Sequence, residues 1–294
     1  MTRLRAPVME YGRVFRYVLL LPAVLWVVGF TFFPLFAVLR YSFASYVLGR
    51  GITGFVGFDN YVDVLGSARF WHSVMVTAIY VVVSVPVEVV LGFLAAWLVH
   101  LGPPGARGFR TIIGAPLFTL EVAIGYLGVT MFSSQGGVVA VLLAKIGIDV
   151  PWLSSVWGGI AAAIVLDVWR WTCFIFLIVL AGLAGIASDL YDAALLDARN
   201  HWQVMWRLAI PLAWPVTSIA ILLRTVECLK VFAIPYALTT GGPGTSTEVV
   251  SATVYLVTIQ FFDFGKGSAM GIVFLVIVSA ILAVFFQQMR KRLA

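Results

Sequence analysis

Charge is scarce in this chain: 11% of its 294 residues are Asp, Glu, Lys or Arg, where a soluble domain carries about a quarter. That is too little polar surface to cover a globule of this size. It argues against a soluble enzyme, a nucleic-acid-binding domain and a disordered regulator. Cysteine is scarcer still. Cys173 and Cys228 both sit in apolar runs, so neither a disulfide framework nor a thiolate metal site is expected. His72, His100 and His201 lie far from one another in sequence, and no metal or other cofactor is expected. The phosphate-binding loop Gly-x-x-x-x-Gly-Lys-Ser/Thr is also missing. Gly265-Lys266 has no glycine at the right upstream offset and is followed by Gly267. There is no His-Glu-x-x-His, Gly-x-Ser-x-Gly or Cys-x-x-Cys, and no aspartate pair in the setting of an intramembrane protease.

Apolar residues are what it has: 62% of the chain, with a mean hydropathy of +1.04. A membrane-crossing helix needs about 20 mostly apolar residues. Six such runs stand out, near residues 17–39, 73–99, 112–132, 159–183, 212–234 and 268–286. The expected fold class is an all-α membrane protein of six transmembrane helices. The first run is too long for a signal-peptide core and no small-residue cleavage site follows it, so it reads as retained. Two shorter apolar stretches, 138–148 and 249–262, read as short helices at the outer surface. Thr245-Ser246-Thr247-Glu248 has the pattern of a capping box opening the second.

Lys and Arg then orient the chain. Arg3, Arg5, Arg13, Arg16, Arg107, Arg110, Arg199, Arg207, Arg290, Lys291 and Arg292 fall on one side, against Arg40, Arg50, Arg69, Lys145 and Lys266 on the other. The richer side is expected to be cytoplasmic, with both termini inside. The organisation read from this is a cytoplasmic segment at 1–16 and a first span with its outer loop at 17–72. A five-span core follows at 73–287, with a cytoplasmic loop at 184–211, and a basic tail at 288–294.

That loop is the long inner connection. Leu190, Ala193, Ala194 and Asp197 recur at i, i+3, i+4 and i+7, and Trp202, Met205, Trp206 and Ala209 repeat the spacing, as a helix face would. Two tryptophans, a methionine and flanking charge suit docking on another protein. They equally suit a helix lying on the membrane with Trp at headgroup level.

Charged residues inside spans pair or line a wet pathway. Asp167 and Arg170 are three apart on the fourth span, and Arg224, Glu227 and Lys230 step by three along the fifth. Each span can therefore pair its own charges, and internal ion pairing is the favoured reading. The alternative is a polar pathway lining of Asp167, Arg170, Arg224, Glu227 and Lys230, with Trp169 and Tyr236 offering rings for stacking. Trp171 and Phe232 lie close by in sequence, and Glu88 and Glu121 are further candidates. Pro86, Pro116 and Pro235 interrupt or end spans.

Asp192-Ala193-Ala194-x-x-Asp197-Ala198, followed by Leu208-Ala209-Ile210-Pro211, resembles the cytoplasmic signature of membrane subunits of bacterial ATP-binding-cassette importers. The maltose-type carbohydrate permeases, with Glu-Ala-Ala-x-x-Asp-Gly-Ala, are the nearest in pattern. Phe58-Asp59-Asn60-Tyr61, Leu238-Thr239-Thr240-Gly241-Gly242-Pro243 with Ser246-Thr247, and Phe264-Gly265 with Ser268-Ala269 are similar to that family's outer-loop, outer-turn and last-span motifs. The resemblance covers most of the chain from Phe58 onward. It implies a type I importer permease fold and a place in the bacterial inner membrane.

It also implies partners: a dimer of ATPase subunits, a second permease expected to be a different chain, an extracytoplasmic substrate-binding protein and the lipid bilayer, with no nucleic acid. The loop would be a coupling helix seated in the ATPase. Asp192 would face a basic partner, and Trp202, Met205 and Trp206 would fill a groove. Ala193, Ala194, Asp197, Ala198, Arg199 and Pro211 complete that site. Asp192 stands where the family has Glu, and Ala198 where it has Gly at a turn. Either Asn200, which accepts the left-handed conformation, carries the turn instead, or the connection is more continuously helical. The implied cargo is a sugar, an oligosaccharide or a polyol. A glycerol-phosphate importer is the alternative within the family, and an ion-coupled secondary carrier the alternative outside it.

Overall fold

A computed structural model of the chain describes residues 13–47, 49–148 and 150–293. Arg3 and Arg5, which entered the orientation argument, lie outside the described residues. Among the described residues five helical stretches are long and apolar enough to cross a membrane, and a sixth span exists if one sharply bent helix pair is counted as one.

Helix α1 (Arg13–Ser42) contains Pro22 and Pro34, packs chiefly on the last helix, and leaves Trp26, Phe30 and Phe33 on the outside of the fold. A hairpin that the apolar pattern did not announce follows it. Strand β1 (Ala44–Val47) pairs antiparallel with β2 (Gly51–Phe55), with Ala44 opposite Phe55. Gly49 and Gly51 at the turn have φ of 89° and 68°, which only a residue without Cβ adopts freely.

Helix α2 (Asp59–Leu65) leads to α3 (Ala68–His100), whose Ser67 cap accepts from the Phe70 amide. Pro86 lies within α3 without ending it. Helix α7 (Val156–Ala184) packs along α3. The two come close at Gly92, where a Cβ would sit 2.8 Å from Ile175 Cβ. The core has three clusters, the smallest gathering Val64, Phe70, Val250, Ala269 and Met270. Of the two larger, one gathers Val76, Tyr80, Ile124, Leu166 and Ile234; the other gathers Phe93, Trp97, Phe176, Leu183 and Met205.

The expected third span at 112–132 is not one helix. Helix α4 (Ala106–Gly114) passes into a tight 3₁₀ turn at Ala115–Phe118, and α5 (Glu121–Phe132) departs at 98°. Pro116 sits in the turn, and Thr119 and Leu120 are extended, with ψ of 140° and 132°. Alone, α5 measures about 18 Å at 1.5 Å per residue, well short of a bilayer core. Helix α6 (Val138–Lys145) has no buried residue.

The fifth span also ends early. After the connecting helices α8 (Ser188–Asp197) and α9 (His201–Val204), the chain widens into a π-turn at Met205–Ala209. It continues as α10 (Ile210–Leu229), which stops at Lys230 rather than running to 234. Pro235 belongs to the first turn of a separate helix, α11 (Ala233–Thr239). Helix α12 (Val250–Tyr255), with a π-turn at Leu256–Gln260, is packed against α3 and the last helix, α13 (Phe264–Leu293). Val250, Ala252 and Thr253 are buried, so this element is not laid on the outer surface.

The expected capping box does not form either. The residue before α12 is Val249, with no side-chain cap. Glu248 instead takes both nitrogens of Arg69 at 2.8 and 2.6 Å and accepts from Thr253. A bidentate pair with arginine outcompetes a single bond to a backbone amide.

Candidate functional site

Two motifs that lie far apart in sequence meet at one end of the bundle. Asn60 is buried and its amide nitrogen donates to the carbonyls of Ser42 and Ala44, both at 3.0 Å. Gly265 lies against the same place: a Cβ there would be 2.5 Å from the Ala44 carbonyl and 3.2 Å from the Asn60 amide. The Leu238–Pro243 turn closes on itself through Thr239 Oγ1 and Thr247 Oγ1 at 2.8 Å, with Thr247 donating to the Gly242 carbonyl. These motifs build a self-satisfied end of the molecule.

The 184–211 segment lies at the opposite end, beside the C-terminus of α3. Tyr191 anchors α8 there. Its hydroxyl donates to the Leu183 carbonyl at 3.2 Å, and its ring lies 4.8 Å from that of His100 and 6.3 Å from that of Trp97. Burial raises the Tyr191 phenol above its usual value, so it remains a donor. Outside that anchor α8 is open. Asp192, Ala193 and Asp197 are exposed, and Ala194 and Ala198 half-buried.

The turn after α8 differs from expectation. Ala198 is extended (φ −95°, ψ 140°) and so is Asn200 (φ −159°, ψ 165°). Neither takes the left-handed conformation, and no glycine is required. Asn200 serves instead as the cap of α9, accepting from the Gln203 amide at 2.9 Å, while Gln203 accepts from the Arg199 amide at 2.8 Å. Reciprocal caps of this kind satisfy amides that a helix start leaves open.

Trp202 and Trp206 are 49% and 67% exposed, and Arg199 and Pro211 are exposed too. Met205 is 2% exposed and belongs to the core cluster of Phe93, Trp97 and Phe176, so it does not belong to the open surface on which it was expected. Trp206 borders an apolar groove with Val90, Phe93 and Trp214 rather than the face of α8. A concavity of about 440 Å³ lies between α3 and α8, lined by Trp97, His100, Tyr191, Asp192, Leu195 and His201 among others.

Inside the bundle the charges pair mostly between helices. Arg224 on α10 donates to both oxygens of Glu88 on α3, at 2.6 and 2.9 Å, and also to Asp167 on α7. The three side chains are 1%, 0% and 2% exposed. Arg170 reaches Glu121 on α5 at 2.8 Å and the carbonyl of Thr119 at 3.3 Å. That bond satisfies a backbone oxygen freed by the break in the third span. Both guanidinium groups lie over the Trp171 ring, Arg170 at 4.8 Å and Arg224 at 4.6 Å. The i, i+3 expectation holds for Lys230 and Glu227 alone, which are exposed and 2.9 Å apart.

Asp167 and Arg224, placed among candidate pathway residues, are thus enclosed in a triad. Glu227 and Lys230 remain open, and Trp169 is exposed on α7. Tyr236 joins Phe232 and Tyr255 in a cluster with ring centroids 5.1 to 5.4 Å apart, and Gln260 donates to its hydroxyl. Periodicity did not reveal Glu88 as the partner of Arg224, Trp171 as the shared ring, or Tyr255 as part of the cluster. Each depends on contacts between separate elements. No cluster of His, Cys, Asp and Glu able to hold a metal occurs among the described residues.

Comparison with known proteins bears on these sites. The family described as "Binding-protein-dependent transport system inner membrane component" matches residues 64–293. A probable ABC transporter permease protein, y4oQ of Sinorhizobium fredii, is 36% identical over 230 residues, covering 78% of this chain and 74% of that one. The trehalose/maltose transport system permease protein MalF of Thermococcus litoralis is 32% identical over 280 residues, covering 94% of each. Among solved structures, a bacterial ABC transporter involved in the import of the acidic polysaccharide alginate has the same fold. It superimposes with a TM-score of 0.82 at 24% identity, over 94% of this chain and 95% of that one.

Proposed function

Because the chain belongs to the inner membrane components of binding-protein-dependent transport systems, we propose that it forms half of a translocation pathway for a sugar, oligosaccharide or polyol, driven through its 184–211 segment. As a member of that family it is a multi-pass membrane transport subunit and not an enzyme. ATP hydrolysis belongs to separate ATPase subunits, and a second permease and a substrate-binding protein complete the assembly. Family membership removes the ion-coupled secondary carrier from consideration.

The observation that carries the coupling role is the contrast within α8. Tyr191 pins the helix to α3, while Asp192, Ala193 and Asp197 are exposed, and among the described residues neither carboxylate has a side-chain partner. A helix fixed on one side and open on the other is suited to transmit a push. Asp192 would meet a basic group on the ATPase, and Trp202 would add apolar contact area. Arg199, Arg207 and the other inner-side cations support an orientation with both termini in the cytoplasm.

The cargo assignment rests on two supports. One is the similarity to the Thermococcus permease of a trehalose/maltose transport system. The other is the Phe232–Tyr236–Tyr255 cluster, bordered by Gln260, whose rings would stack on sugar faces while the polar groups bond hydroxyls. Lys230 is already paired with Glu227, which argues against a phosphate-bearing cargo.

The test is affinity capture of the tagged chain from gently solubilised native membranes, comparing wild type with Asp192→Lys, Trp202→Ala. Recovery of an ATPase and a second permease with wild type, and loss of the ATPase alone from the variant, is the expected result. An ATPase that never accompanies the intact chain sinks the proposal.

A further inference from the structure

The intramembrane network has one feature that stability does not explain. It contains three carboxylates, Glu88, Asp167 and Glu121, against two guanidinium groups, Arg170 and Arg224. Burying charge this way at best breaks even against apolar side chains of the same volume. A bundle that needed only holding together would fare as well with leucines.

The excess carboxylate is placed so that partners can change. Asp167 and Arg170 are three residues apart on α7, within reach of one another along one helix face. In the present arrangement Asp167 serves Arg224, and Arg170 is taken by Glu121. If α7 shifts against α10, Asp167 can leave Arg224 for Arg170. Arg224 then keeps its bidentate pair with Glu88, and Arg170 keeps a carboxylate. The group released is Glu121, which at 40% exposed is the least enclosed of the three carboxylates. No deeply buried charge is stranded at any point in the exchange, which is what such a switch requires.

We infer that Asp167 exchanges Arg224 for Arg170 when the coupling segment moves, and that this exchange frees α5 at the break beside Thr119. The helices that carry the exchange, α7 and α10, are the two that flank the 184–211 segment. The released element is the half-helix α5, whose first residue is Glu121. Asp167, Arg170 and Glu121 are then positioning residues. They touch no cargo and link the docking end to the broken span. The inference rests on the importer reading above.

The experiment uses the whole transporter in nanodiscs, with spin labels at Tyr126→Cys on α5 and Ile219→Cys on α10, both exposed positions, in a Cys173→Ala, Cys228→Ala background. The α5–α10 distance is measured without nucleotide and after trapping with ATP and vanadate. In the labelled parent, trapping is expected to shift the distance. Asp167→Asn removes the charge that moves and is expected to abolish the shift, while Asp167→Glu retains it. Glu121→Gln removes the competitor for Arg170. It is expected to raise the trapped-state distance in the nucleotide-free sample by about threefold in population, the scale of one half-exposed pair. These opposite signs are not what two simple packing defects produce. A normal shift in Asp167→Asn, or an unchanged distribution in Glu121→Gln, overturns the switch. If Asp167→Asn does not assemble, Glu121→Gln decides alone. A parent that binds its ATPase yet shows no shift also overturns the switch, whereas a parent that binds no ATPase overturns the importer reading instead.

Discussion

At one end of the bundle the polar groups of the Phe58–Tyr61 and 238–248 segments serve one another; at the other, α8 holds its carboxylates out to solvent. Asn60 satisfies two carbonyls and Glu248 holds Arg69 and Thr253. Among the described residues, Asp192 and Asp197 have no comparable side-chain partner. Both regions carry motifs that stand out equally in the sequence. The difference is that one motif set completes a structure, while the other stays open, as the proposed docking on a second protein requires. A sequence motif therefore does not say by itself whether it builds the fold or serves a partner. The hydrogen bonds around it do.

Substitutions divide along the same line. The largest loss of stability is expected inside the bundle, where Arg224→Met strands Glu88 and Asp167 and costs about 3–5 kcal/mol. Thermal unfolding in detergent measures it. Lys230→Met, which cuts an exposed pair on the same helix, is expected to cost under about 1 kcal/mol in the same assay. Glu248→Ala, at the self-satisfied end, leaves Arg69 without its partner and is expected to cost about 2 kcal/mol, with ATPase capture intact. Asn60→Ala removes the donor to two carbonyls, an effect of about 1–2 kcal/mol read in the same way. The smallest effect on stability is expected at the open end. Asp192→Lys shifts it by less than about 0.5 kcal/mol while ATPase capture is lost. If Asp192→Lys instead destabilises as much as Asn60→Ala, the contrast between the ends fails.

The spans were readable from the sequence because long apolar runs have one common outcome in a bilayer. Residues 159–183 and 268–286 lie within observed helices. The break at Thr119–Leu120 was not readable, because Pro86 and Pro116 sit in equally apolar runs and one is absorbed within a continuous helix while the other follows the end of one. What separates them is Arg170, which reaches over from α7 to satisfy the Thr119 carbonyl. The charges tell a similar story. Spacing by three suggested pairing along each helix, which Lys230 and Glu227 obey, but the partner of Arg224 is 136 residues away. The 184–211 segment is largely helical, as its spacing suggested, yet the turn residue took another role. Asn200 in an extended conformation can cap α9, and the reciprocal bond from Gln203 favours that over the left-handed turn.

Hydrogen exchange along the chain, with the permease pair alone and with its ATPase bound, tests the contrast most directly. Amides of Ser188–Asp197 are expected to exchange readily in the free permease and become protected when the ATPase docks, while those of Asp59–Leu65 and Val250–Tyr255 keep the same protection throughout. Equal protection of Ser188–Asp197 with and without the ATPase would contradict this contrast.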